Sequence, residues 1–204
     1  MHRALKNQHR THHDSTMRIT DPLKASLIAM AISAANPCLA EDYSESLEIP
    51  GSEWRIESQC SAVADATQCT ISVNDGKTEE KVLDYPAPPA SANYEANIFL
   101  LTFGCGTACS VAYVYKLGGH LGGPFPLVEA TDNEREVVMS LGAKSVLFYR
   151  MFDNNDALLH EITPELNDAN LLDVVDDSSL ENHIFRLSYR TEHGLEELQY
   201  EAPQ

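Results

Sequence analysis

Phe185-Arg186-Leu187-Ser188-Tyr189-Arg190, then His193-Gly194, then Leu198-Gln199-Tyr200 is the stretch that decides the fold class of this chain. Apolar side chains occupy alternate positions of the first run and polar ones fill the gaps, the period of a strand with one buried face. Gly194 supplies the positive φ a tight turn demands, so the segment reads as a β-hairpin. Working outward, Trp54, Ile56 and Ser58 alternate with Arg55, Glu57 and Gln59 in the same way. Residues 70–73 run into Asn74-Asp75-Gly76, a second hairpin signal, with residues 81–84 as the return strand. Residues 97–103 and 111–117 are apolar enough to be central strands, and residues 126–130 form a further candidate. Residues 145–152 are apolar on both phases, as in a strand covered on both faces. Leu158–Ile162 follows across Asp153-Asn154-Asn155-Asp156.

Long amphipathic helical patterning is absent. Thr163-Pro164-Glu165 has the order cap, N1 proline, acid, and predicts one short helix running toward Leu172. Tyr85-Pro86-Ala87-Pro88-Pro89-Ala90-Ser91 cannot join a regular ladder, because proline lacks the N–H donor; it reads as a stiff connection inside one domain. No internal repeat at a fixed period is present. The expectation is a mainly β chain: a small antiparallel sheet or sandwich-like single domain with at most one or two short helices.

Ahead of that domain, residues 17–40 have the order of a secretory leader. Met17 is followed by Arg18 and Lys24, then the apolar run 25–35, then Cys38-Leu39-Ala40 with small residues three and one before Glu41. The apolar run is well short of the roughly 20 residues a membrane-spanning helix needs, so it is expected to be removed and to leave no stable membrane anchor. Pro37 and Ala35 stand where a lipid-attachment site at Cys38 would need a small residue and a leucine. Residues 1–16, with His2, His9, His12 and His13 among basic residues, read as a disordered upstream extension ahead of the true start. Residues 41–204 are then a single exported domain, periplasmic or secreted.

That domain carries 9 Lys and Arg against 29 Asp and Glu, a net charge of −20. Such a field repels phosphate backbones and anionic lipid, which excludes nucleic acid as a ligand, and it speeds encounter with cations over roughly 8 Å. The same charge also serves an exported protein simply by keeping it soluble.

Cys60, Cys69, Cys105 and Cys109 are an even set in an oxidising compartment, so disulfides are expected. Four cysteines allow three pairings; the local one, Cys60 with Cys69 and Cys105 with Cys109, is the expectation. Extended chain would hold Cys105 and Cys109 roughly 13 Å apart, whereas a disulfide needs Cα atoms within about 7 Å, so the segment must turn back, and Gly106 makes that turn inexpensive. Zinc would want a second closely spaced ligand pair, which is missing. A thiol nucleophile at Cys105 or Cys109 with His120 or His160 as base has the right residue types, without the local signature of a cysteine hydrolase. A redox pair would normally be Cys-x-x-Cys at a helix start.

Phe103-Gly104-Cys105-Gly106-Thr107-Ala108-Cys109-Ser110, set between two apolar strands, resembles a motif of uncharacterised exported proteobacterial proteins, an aromatic-Gly-Cys-Gly-Thr-x-Cys run following a strand. The likeness spans about twenty residues, from Ile98 to Lys116, and implies export without assigning a catalytic residue.

Other patterns carry less. Gly118-Gly119-His120-Leu121-Gly122-Gly123-Pro124 lacks the Lys-Ser/Thr of a phosphate loop and reads as a mobile surface loop. Asp153-Asn154-Asn155-Asp156, and Asp173 with Asp176-Asp177, lack EF-hand spacing and read as solvated turns. Trp54 reads as core. No Gly-x-Ser-x-Gly, His-Glu-x-x-His or Rossmann glycine pattern occurs, so no catalytic, cofactor or metal residue is assigned. The leading expectation is a non-enzymatic domain that binds a cationic macromolecule, such as a basic lysozyme-like enzyme or a delivered toxin. The alternative is a cell-envelope cysteine-dependent hydrolase or thiol-redox enzyme using Cys105 or Cys109. A purely structural envelope component is a third reading that sequence does not separate from the first.

Overall fold

Asn74-Asp75-Gly76 turns the chain as its residue types require. Asn74 Oδ1 accepts the Gly76 N–H at 2.6 Å, and Asp75 Oδ1 accepts those of Lys77 and Thr78 at 2.8 and 2.6 Å. Gly76 takes φ +85°. The bonds from Thr78 and then Lys77 hold the Asp75 carboxyl below its ordinary value. The turn closes β3 (Ala66–Asn74) onto β4 (Glu79–Tyr85), and β2 (Arg55–Val63) and β1 (Tyr43–Glu48) extend this sheet, sheet A, on the other side. This is a computed structural model that describes residues 42–63, 66–107, 109–153 and 158–204. The expected extension 1–16 and leader 17–40 lie outside the described residues, as does most of Asp153-Asn154-Asn155-Asp156.

Three further sheets follow in chain order, every pairing antiparallel between sequence neighbours. Sheet B holds β5 (Ser91–Glu95), β6 (Ile98–Gly104), β7 (Ser110–Lys116) and β8 (His120–Pro126). Sheet C holds β9 (Val128–Asp132), β10 (Val137–Leu141), β11 (Val146–Arg150) and β12 (Leu158–Ile162). After α1 (Leu171–Val174), sheet D holds β13 (Val175–Glu181), β14 (Ile184–Thr191) and β15 (Gly194–Glu201). The chain is thus mostly β, as expected, with one short helix. The proline-rich stretch joins β4 to β5.

Apolar faces are buried between successive sheets. Ile56, Cys60, Cys69, Ile71 and Val73 of sheet A meet Phe99, Leu101, Phe103 and Tyr115 of sheet B, and Trp54 packs edge-on to Phe99 with ring centres 5.4 Å apart. Ile98, Val114 and Phe125 of sheet B meet Val138 and Met151. Val137, Met139, Leu141 and Phe148 of sheet C meet Phe185, Leu187, Tyr189 and Leu198 of sheet D. Every residue of β10 is therefore buried, serving the core on one side of sheet C or the other. Each of its large side chains contributes about 2 kcal/mol of apolar burial.

Three expectations are corrected. The helix does not start at Thr163: Asn167 takes φ +52°, which a right-handed helix excludes, and α1 begins after Asn170, whose Oδ1 accepts the Leu172 N–H at 3.1 Å. Asp176 and Asp177 are in β13 and Asp173 in α1, so none of them is a turn residue. Of the glycine run, Gly118 and Gly119 make the turn, but residues 120–124 are strand β8, paired to β7. Its glycines mark a close approach of backbone: a Cβ on Gly122 would lie 1.6 Å from the Met151 carbonyl oxygen.

Candidate functional site

The four cysteines form two pairs at disulfide distance with opposite surroundings. Cys60 and Cys69 face each other across β2 and β3 with Cα atoms 4.0 Å apart, both buried in the core between sheets A and B. Cys105 and Cys109, Cα atoms 5.2 Å apart, sit exposed at the tip of the β6–β7 hairpin. Gly106 takes φ +120° there, and the Cys105 N–H donates to the Cys109 carbonyl at 3.2 Å.

The histidines proposed as thiol bases are not brought to that tip. His120 pairs with Lys116 at the far end of β7, roughly 20 Å from Cys109 by strand rise, and its ring meets Phe152. His160 lies in sheet C with its ring stacked on Tyr200 of sheet D at 5.2 Å. In a disulfide neither sulfur is the thiolate that nucleophilic chemistry needs.

Charge is where the surface concentrates its chemistry. Among the described residues, six of the nine Lys and Arg side chains are in ion pairs: Arg55 with Glu57, Lys81 with Asp84, Lys116 with Glu136, Arg135 with Glu201, Arg186 with Glu197 and Arg190 with Asp176. The remaining carboxylates therefore set the field. On sheet D, Glu165, Glu192 and Glu196 line a cleft of about 200 Å³ beside the β14–β15 turn. The Tyr189 hydroxyl at its floor donates to Glu196 Oε2 at 3.1 Å, and burial, then Glu196, then Glu165 push its ionisation upward. Glu197 is held below its ordinary value by the Gln199 amide and, beyond it, by Arg186. Such a cleft can take a Lys or Arg side chain.

A second polar constellation, at Asp132 and His183, is absent from the sequence reading. Asp132 is 2% exposed and sits at the end of β9; its Oδ1 accepts the Arg135 N–H at 3.0 Å. Its Oδ2 lies 2.8 Å from Nδ1 of His183 in the β13–β14 turn. A carboxylate only accepts, so Nδ1 is the donor to Asp132, and Nε2 lies 3.5 Å from Glu134 Oε2. Among the described residues no serine, threonine or cysteine hydroxyl or thiol bonds to this imidazole. The pair ties the turn of sheet C to the turn of sheet D. Asp132-Asn133 and Asn182-His183 are turn signals legible in the sequence, but their contact across 51 positions is not.

No protein-family model matches this chain, and no curated protein matches it either.

Proposed function

We propose that this is an exported acidic β protein that binds a cationic macromolecule rather than converting a substrate. The observation that carries the reading is the neutralisation just described: the described residues have a large excess of carboxylates and most of their cations paired internally, so what they present outward is negative. A basic lysozyme-like enzyme or a delivered toxin has the complementary surface. Export is supported by two cysteine pairs at disulfide distance. The run around Cys105, which resembles a motif of exported proteobacterial proteins, fits the same reading.

Titration of the purified chain with a basic lysozyme-like enzyme, at low and at high salt, tests this. Binding that weakens steeply with salt is expected, because screening shortens the reach of exposed charges. Failure of every cationic protein tried, at low salt, refutes it. The second reading, thiol chemistry at Cys105 or Cys109, has the exposure of that pair in its favour, and alkylation of the native unreduced chain at either cysteine would support it over the first.

A further inference from the structure

Among the described residues, sheets A, B and C each have four strands and sheet D has three, with β15 at an edge that no described strand pairs with. The other edge, β13, lies against β9, where the Ser178 hydroxyl donates to Glu129 at 3.2 Å. β15 is eight residues long, pairs with β14 without a register shift, and holds neither lysine nor proline, the usual devices that blunt an edge. Its hairpin closes at Thr191 and Gly194, so by the alternation of an antiparallel ladder Leu195, Glu197, Gln199 and Glu201 turn their N–H and C=O groups outward.

We infer that β15 accepts a fourth strand for sheet D, an extended basic segment of a partner protein. The inference rests on the cationic-partner reading and names how such a partner is held. Leu195, exposed at 62%, leads a row in which Glu197 and Glu201 alternate with Gln199. A strand laid beside it places alternate side chains within reach of those carboxylates, and like charges in the same place would be repelled. The acids thus exclude a second copy of β15 and admit a strand of opposite charge. The pair Glu197 makes with Arg186 is partly exposed and costs little to exchange, whereas Arg135, 17% exposed and also bonded to the Ala202 carbonyl, keeps its place while the exposed Glu201 carboxylate can be shared with an incoming cation. Of the other regular edges, β5 has five residues, and β1 has six and two carboxylates. Backbone hydrogen bonds supply the affinity in this mode and alternate side chains the specificity.

The probe is a capped octapeptide of alternating Lys and Val, against the same peptide N-methylated on alternate amides, titrated into the full chain by calorimetry. N-methylation keeps every charge and removes strand pairing, so binding should weaken by about tenfold or more, the worth of one or two backbone bonds. Gln199→Pro, which deletes an outward N–H that the fold does not use, should weaken the parent peptide similarly and leave the circular dichroism unchanged. Equal binding of both peptides, sensitive to salt, overturns strand addition while the cationic-partner reading stands. Binding of a basic protein with no binding of either peptide overturns it too.

Discussion

Gly122→Ala is the sharpest test of the stacking of sheets B and C. A Cβ there would stand 1.6 Å from the Met151 carbonyl oxygen, 2.7 Å from its carbon and 3.0 Å from Val114 Cγ2. Ordinary C···O contact is about 3.3 Å or more, so β8 would have to withdraw from the end of β11 by roughly 1.7 Å. The obstacle is backbone, with no flexible side chain to yield, and the movement would part Phe125 and Val114 from Val138 and Met151. Overpacking of this kind costs about 1 to 3 kcal/mol, and an immovable neighbour places it at the upper end. At roughly 2 to 4 °C per kcal/mol for a domain of this size, the melting midpoint should fall by about 6 to 12 °C. Gly104→Ala is the control, since a Cβ there meets nothing within 4 Å and its φ is ordinary; it should stay within about 0.5 kcal/mol of the parent. Urea melts of the three proteins decide the matter: if Gly122→Ala matches Gly104→Ala, sheets B and C are not packed as described.

The remaining predictions concern the cysteines, the tyrosine of sheet B and the buried aspartate. Mild reduction of the native chain followed by alkylation and mass spectrometry should label Cys105 and Cys109 well before Cys60 and Cys69, because only the first pair is exposed; equal rates would contradict the placement. Removing the Cys60–Cys69 bond should cost about 3 kcal/mol and the Cys105–Cys109 bond about 2, since the smaller loop has less entropy to lose. Tyr115, buried and donating to Glu80 at 2.6 Å, is pushed up to about 12 by burial first and by Glu80 after it. A folded-state value above the unfolded one means that its stabilisation is intact below about pH 10 and is lost as the pH rises toward 12. Phenolate absorbance should show that late titration, and Glu80→Gln should bring it earlier; an unchanged midpoint would dismiss the contact. His183→Ala strips Asp132 of its side-chain partner and should cost about 1 to 3 kcal/mol in a urea melt, whereas a loss under 0.5 would show that the pair does not hold the two turns together.

What the sequence disclosed follows burial geometry. β2, β3, β14 and β15 were legible because one face meets a core and the other meets water, which writes period two into residues such as Ile56, Ser58 and Cys60. β10 was not: it is covered on both faces as β11 is, but its apolar run Val137-Val138-Met139-Ser140-Leu141 is only five residues long and Ser140 interrupts it. β1 and β13 failed for the reverse reason: Ser44, Glu45 and Ser46, or Asp176, Asp177 and Ser178, are solvated, and the ladder to a neighbour alone makes them strand. Gly122 and Gly123 looked like loop because sequence shows what a glycine permits, not which backbone presses on it. The cysteine spacing was informative because short loops leave few geometries, whereas Asp132 with His183 depends on two turns meeting in space.

The order of the sheets also limits how a partner can be recognised. Sheets B and C give both faces to cores, and sheets A and D give their inner ones, so the described strands keep two open faces. Both are polar. On sheet A, Thr70 bonds to Asp84 and Ser72 to Glu79; on sheet D, Arg186 pairs with Glu197. The large exposed apolar side chains, Tyr43, Val63, Leu121, Leu158, Leu172 and Leu195, are scattered over different elements and form no row that could seed a dry interface. Among the described residues, charge and unpaired backbone are the features the proposed partner could use. Charge alone is non-directional and fades within a Debye length of salt, so specificity has to come from a ladder edge. β15 is where carboxylates and an unbroken edge coincide over the greatest length, which is why the partner surface is placed there and not on either open face.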